Sequence, residues 1–275
     1  MRSLRPESSR PDSRSGSLGH APSARPLCPR FSARATACLA ALLVGVPALP
    51  LRAAAPSPRQ LQSLEAAFNG EGDLPALLGS GPDLDPGLVE RRRRLLLSRF
   101  PDARWQISAG PTLRDGRQTV LLRVRGSRQD GPLRFRLEAE QQLALESDGS
   151  RITGQTLIRE QALLRTGDTD LRISLLIPDA VLTGQRYDVD VLLDEPLDGA
   201  IVAGGIVALS PEQVSALESP LLQLGALGGG GLFRTVQAPF SPGSQTWAVL
   251  LVHPQGLVSA SKRVRVVADK AQLNP

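Results

Sequence analysis

Four side chains in this sequence have the types and spacing to do chemistry together: Arg92, Gln141, Thr156 and Glu160. The last three fall in FRLEAEQQLALESDGSRITGQTLIREQALL, residues 135–164, which alternates apolar and polar residues on either side of Asp148-Gly149 as the two strands of a hairpin do. Gln141, Thr156 and Glu160 interrupt the apolar phase, which puts polar groups on the inward side. A carboxylate placed there either serves a ligand, as an acid/base or anchoring group, or pairs with an internal cation that offsets its desolvation. The helix expected from Asp85 onward supplies such a cation. At 100° per residue, Arg92 lies within the arc of Leu88, Val89, Leu95 and Leu96. Arg92 and Glu160 are therefore expected to approach one another, with Gln141 and Thr156 adding hydrogen bonds on the same face.

The rest of the catalytic inventory is thin. His253, in VHPQG, sits at a strand-end turn, where a single histidine is an ordinary solvated side chain. No HExxH, CxxC or clustered His/Asp set is present, so neither a catalytic residue nor a metal site is assigned, and no cofactor is expected. ESDGS and LDEPLDG lack the alternating oxygen ligands of a calcium loop and suit turns. GALGGGGLFRT lacks the Lys-Ser/Thr pair of a phosphate loop. Four consecutive arginines, Arg91 to Arg94, cannot share one helix face; Arg91, Arg93 and Arg94 read as a solvated flank.

The elements that must position these residues follow from local signals. SPRQLQSLEAAFNG reads as an amphipathic helix through Leu61, Leu64 and Phe68. Asp85 is an N-cap with Pro86 at the first helical position, and the helix runs to about Arg99 before Pro101. From Ala103 the period becomes two, giving four strands: ARWQIS, RQTVLLRVRG, PLRFRLEAEQQLALES and RITGQTLIREQALLRT. A two-residue turn at Asp148-Gly149 places Glu138 opposite Arg159, Glu146 opposite Arg151, Leu145 opposite Ile152 and Phe135 opposite Ala162. TGDTD, residues 166–170, marks a joint, after which six or seven short strands fill about a hundred residues, with one short helix in SPEQVSALESPLLQL.

Charge and cysteine bound the setting. Residues 1–55 hold eight arginines against Glu7 and Asp12; of 32 basic and 27 acidic residues in all, the remainder keeps 24 and 25. Nothing globally basic is left to follow a phosphate backbone, and no nucleic-acid partner is expected. Between Arg34 and Arg52 run 17 uncharged residues, and small residues suited to cleavage follow at Ala53 to Ala55. That pattern suits a cleaved export signal better than a spanning helix, which needs about 20 apolar residues. The setting is therefore periplasmic or secreted, or a thylakoid lumen in a photosynthetic source. Membrane contact would come only through an uncleaved signal. Cys28 and Cys38 both fall in this segment, so cleavage leaves a chain without thiol or disulfide chemistry.

The order of helices before four long strands over residues 58–166 resembles the nuclear-transport-factor-2-like superfamily. That likeness implies helices covering the hollow face of a curved antiparallel sheet. IPDAVLTGQRYDVDVLLDEPL and WAVLLVHPQGLVSASKRVRVV resemble an immunoglobulin-like β-sandwich without the cysteines of antibody-type domains. The expected fold class is α+β: N-terminal helices on a curved antiparallel four-stranded sheet, then an all-β immunoglobulin-like sandwich. The domains are a preface and export signal over 1–55, the α+β domain over 56–168 and the sandwich over 169–275. Both folds host many functions. The leading expectation is a non-enzymatic exported protein that binds an unidentified protein partner through an edge or loops of the second domain. The alternative is a small-molecule binder or pocket enzyme using the concave face around Glu160. An open cavity beside Glu160 would favour the alternative. The mature chain should begin between Ala53 and Ser57; N-terminal sequencing of the exported protein checks this, and a start upstream of Ala35 would contradict it.

Overall fold

Short-range capping chemistry starts each of the helices that matter here. In the computed structural model, which describes residues 54–167, 171–194, 199–227 and 229–275, helix α1 spans Pro58–Phe68. Ser57 Oγ accepts the Gln60 amide while Gln60 Oε1 accepts the Ser57 amide, a reciprocal capping box, and Pro58 occupies the first helical position. A short helix α2, Leu74–Leu77, follows Asp73, and α3, Pro86–Arg99, follows Asp85, whose Oδ1 accepts the amides of Gly87 and Leu88. The export segment expected over residues 1–55 lies, up to residue 53, outside the described residues.

The chain is α+β with a mostly antiparallel sheet. Strands β1 (Arg104–Ala109), β2 (Val120–Asp130), β3 (Leu133–Ser147) and β4 (Ile152–Thr166) form an antiparallel meander. They are not a sheet of their own. β4 pairs antiparallel with the last strand, β12 (Gly256–Val267), so the four belong to a nine-stranded sheet that continues through β11 (Gly243–His253) and β8 (Ala203–Leu209) to β9 (Gly225–Ala226). β6 (Ala180–Leu182) joins the far half of β12 in parallel. A second, three-stranded sheet has the order β10 (Gly231–Gln237), β7 (Arg186–Leu193), β5 (Ile173–Leu176). Helix α4, Pro211–Ala216, follows β8.

Two cores result, on opposite faces of the large sheet. The first gathers Leu64 and Phe68 of α1, Trp105 of β1, Val120 and Val124 of β2, and Leu137, Leu143 and Leu145 of β3, with Leu164 of β4 at its border. The second packs Tyr187, Val189 and Val191 of β7 against Trp247, Val249 and Leu251 of β11 and Ala260, Val264 and Val266 of β12, with Leu163 at its border. Neighbours along a strand point to opposite faces, so Leu163 and Leu164 show where the covered face changes. The boundary expected at residues 168/169 separates two cores, but the large sheet runs across it.

The hairpin register differs from the one expected. Glu138 lies opposite Leu163 rather than Arg159, Leu145 opposite Gln155 rather than Ile152, and Phe135 opposite Thr166 rather than Ala162; Glu146 lies opposite Gly154 rather than Arg151. Three local causes account for this. Asp148 Oδ1 accepts the amides of Ser150 and Arg151, which widens the turn beyond two residues while Gly149 takes φ +95°. The register then shifts at Glu146/Ser147, where Thr153 is the extra residue on β4, and again at Gln142/Leu143, where Ile158 is. Beyond that bulge β4 leaves β12 and takes a new neighbour, the loop before α3. Gly79 N donates to Ile152 O, and Gln155 N donates to Pro82 O. A Cβ on Gly81 would sit 1.6 Å from Thr153 O, so the loop approaches this closely only because residue 81 has no side chain.

Ion pairs stitch the β4–β12 seam on the face of the second core. Lys262, 3% exposed, donates to Asp179 Oδ1, and Arg159 of β4 reaches the same carboxylate at 3.5 Å. Asp179→Ala should cost about 2–3 kcal/mol, less than the roughly 3–5 kcal/mol of a fully buried pair because Asp179 is 42% exposed. Urea denaturation checks this, and Asp179→Ala with Lys262→Met should regain most of the loss because no buried charge is then left alone.

Candidate functional site

Helix α3 carries the arginine run and no fully buried residue. Its apolar side chains Leu88, Val89 and Leu96 face a cavity of about 850 Å³ between the helices and the sheet. Phe68 and Trp105 close one side, their rings stacked 6.0 Å apart. α1 holds this wall through the free edge of β1. Asn69 Oδ1 accepts the Trp105 amide at 3.0 Å and Glu65 Oε2 accepts the Ile107 amide at 2.6 Å, which pairs edge groups that would otherwise be open. Arg93 Nε donates to Phe68 O at 2.8 Å and ties α3 to α1.

All four residues picked out in the sequence line this cavity: Arg92, Gln141, Thr156 and Glu160. Gln141 and Glu160 are direct cross-strand neighbours, and Gln141 Nε2 donates to Glu160 Oε1 at 2.6 Å. The cation nearest to Glu160 is not Arg92 but Arg263, its cross-strand neighbour on β12, with Nε 2.7 Å from Glu160 Oε2. Gln141, Glu160 and Arg263 thus form a row across three adjacent strands. The Arg263 contact is an ion pair without an aligned hydrogen bond, because the buried Nε–H does not point at the carboxylate. Thr156 stands apart from the row; its hydroxyl accepts from Arg117 Nη1 at 3.2 Å, and Arg117 is itself paired with Asp115.

Arg92 is half-buried and within electrostatic reach of both Glu160 and Arg263. Burial pulls its guanidinium below the usual arginine value; Glu160 opposes that shift and Arg263 adds to it. Among the described residues Arg92 has no hydrogen-bond or ion-pair partner. Its neighbours in the run are all engaged. Arg91 faces Asp85 at 3.9 Å, Arg94 pairs with Glu90 at 2.8 Å, and Arg93 meets Glu90 as well as Phe68 O. Arg92 and Arg263 also border a smaller recess of about 210 Å³, beside Val214 of α4 and Ser244 and Thr246 of β11.

Arg263 escaped the sequence reading because it lies a hundred residues from Glu160. The signal was present in SKRVRVV: Val264 and Val266 take one face of β12, which sends Arg263 and Arg265 to the other. Arg265 is satisfied by carbonyls. Its Nε donates to Ile158 O at the β4 bulge, and its terminal nitrogens donate to Gln272 O and Leu273 O. His253 Nδ1 accepts the Gln255 amide within the β11–β12 turn and is not among the cavity residues. Groups of three or more His, Cys, Asp or Glu placed to hold a metal ion do not occur among the described residues.

Residues 168–267 are similar to a family described as a domain of unknown function (DUF8623). That span holds Arg263 but none of Arg92, Gln141, Thr156 or Glu160, so the cavity is only partly inside it. Comparison with curated proteins finds no match.

Glu160 faces Arg263 directly and Arg92 at longer range, which makes its removal a sharp perturbation of this site. Glu160→Leu should cost about 2–4 kcal/mol, because two like charges are left in a partly desolvated site. Arg263→Met added to it should recover at least half of that loss. Arg92→Met alone should cost less than about 0.5 kcal/mol or stabilise, since it removes a desolvated charge without a direct partner. Urea denaturation of the four proteins measures all of these.

Proposed function

We propose that this is an exported, non-enzymatic binding protein that holds a small, mainly apolar molecule in the cavity beneath α3. The observation that carries this reading is the open space itself. Leu88, Val89 and Leu96 line about 850 Å³ that the fold leaves unfilled, within the range of about 300–1,000 Å³ usual for ligand sites. A cavity that served only internal polar satisfaction would close over Gln141 and Glu160. Binding is favoured over turnover because both oxygens of Glu160 are occupied, one by Gln141 and one by Arg263. A carboxylate engaged in this way is not free to meet a substrate.

The architecture that suits this function is a nuclear-transport-factor-2-like helix-covered curved sheet, with an immunoglobulin-like sandwich behind it whose last strand closes the cavity rim. Support comes from the two cores and from Arg263 and Ser261 of β12 facing the cavity. A protein partner at the second segment is the other reading. It draws on the outer face of the three-stranded sheet, where Leu176 and Phe233 flank Asp190 with 56% and 67% exposure.

Octan-1-ol, a neutral apolar probe, tests the cavity reading by calorimetric titration. It should bind saturably at one site, and Ala139→Phe, which places a ring into the cavity, should abolish that binding while the melting temperature stays within a few degrees. If neither octan-1-ol nor its carboxylate counterpart, octanoate, binds the unaltered protein, the cavity is not a ligand site.

A further inference from the structure

Around Glu160 the cavity wall is one negative charge short. Arg92 and Arg263 face this part of the cavity with only Glu160 between them, and Gln141 already uses one oxygen of that carboxylate. Asp83 and Asp85, which also line the cavity, stand at or before the N-cap of α3, where Asp85 faces Arg91. Arg263 makes no aligned hydrogen bond among the described residues, and Arg92 makes no hydrogen bond or ion pair at all among them. A guanidinium carries five N–H donors in a planar fork, so these two groups bring many more donors than Glu160 can accept. Arg265, on the same face of β12, also lines the cavity and keeps its charge, but its donors are spent on the carbonyls of Ile158, Gln272 and Leu273.

Placement matters as much as count. Arg92 projects from α3 between apolar residues that line the main cavity, Leu88 and Val89 one turn before it and Leu96 one turn after it. With Arg263 and Ser244 it also borders the smaller recess. The charged pair therefore sits where the apolar chamber meets the recess beside α4, not in its depth. Leaving an arginine half-buried without a counter-ion costs free energy that a purely structural role would avoid, because methionine or leucine would complete the apolar arc of α3.

Building on the cavity reading, we infer that the ligand is a monoanionic amphiphile, with a carboxylate gripped by Arg92 and Arg263 and an apolar body running under α3 toward Phe68 and Trp105. A carboxylate matches the guanidinium fork with two parallel hydrogen bonds, and one negative charge neutralises the excess left after Glu160. Glu160 then has a defined part: it holds Arg263 in place and, by its own charge, disfavours ligands with two or more negative charges. Arg92 supplies the binding charge that nothing in the fold uses.

Calorimetric titration of octanoate and octan-1-ol against the unaltered protein, Arg92→Gln, Arg92→Lys and Glu160→Gln tests this. Octanoate should bind about ten- to a hundred-fold more tightly than octan-1-ol, the range expected of hydrogen bonds to a charged group. Arg92→Gln should erase most of that difference by weakening octanoate far more than octan-1-ol. Arg92→Lys should keep most of it, and Glu160→Gln should tighten octanoate alone. Equal affinities for the two probes in the unaltered protein, or octanoate binding untouched by Arg92→Gln, would overturn the anionic assignment and leave the cavity reading standing. If neither probe binds, both fall. Should Arg92→Gln fail to fold, the opposite movement expected of Glu160→Gln decides, and no change there would likewise overturn it.

Discussion

The pairing of β4 with β12 is the constraint on which the rest of this structure depends. Seven residue pairs, from Leu257↔Thr166 to Arg263↔Glu160, join the meander to the strands that follow it. Without them β4 would present an open edge, and each segment would carry a core covered on one face only. With them, one sheet carries two cores on opposite faces, and the strand that ends the chain's fold becomes a wall of a cavity built by its beginning. The length of β4 is what makes this possible. At fifteen residues it reaches β12 with one half and the loop before α3 with the other. The bulge at Ile158 divides those halves, and Arg265 bonds the Ile158 carbonyl that the bulge leaves without a ladder partner.

The seam also explains why polar residues cluster on both of its faces. The first core covers the cavity face of β1 to β4 and thins out toward β12; the second covers the opposite face from β12 outward and thins out toward β4. Where each cover ends, the sheet offers a half-buried site that an apolar residue would leave exposed. Gln141, Glu160 and Arg263 fill that zone on one face, and Arg159, Asp179 and Lys262 fill it on the other. Both groups are completed by residues distant in sequence, so they also fix the register between segments. A one-residue slip of β12 would turn Arg263 into the second core and Val264 toward the cavity.

How much of this was legible in the sequence divides cleanly by range. The start of α3 was readable at Asp85-Pro86 because capping is settled within four residues, and α1 was readable from the spacing of Leu61, Leu64 and Phe68. The strands of the meander were readable from their period of two. The hairpin register was not, since the turn width depended on which amides Asp148 accepts and the later shifts on extra residues, Thr153 and Ile158, that no local signal marks. The joint near residues 166–170 was visible as a change of pattern, yet nothing local says that strands on its two sides pair. The cavity residues were found by facing a helix arc against a strand phase, which brought Arg92, Gln141 and Glu160 onto the same space. The partner of Glu160 was misjudged because an equally placed arginine, Arg263, was sequence-distant and closer in space.

That substitution of partners changes what the polarity of the hairpin means. Had Arg92 been the direct partner of Glu160, the charges would have balanced and the site would have been internal bookkeeping of a small core. Arg263 takes that position instead, through strand pairing that would exist whatever residue stood at 92. Arg92 is then surplus to the fold's own electrostatics, held on a helix whose apolar face is only partly buried, with Val89, Leu96 and Leu97 at the margin of the first core. An unfilled chamber and an unpartnered charge on the same helix face are two costs, and burial of the charge makes the second larger than it would be on a surface. Each is opposed by what would relieve the other: an apolar body fills the space, and an anionic head satisfies the arginine. A single amphiphilic ligand removes both, which is why the two features are better understood together than as separate flaws in packing.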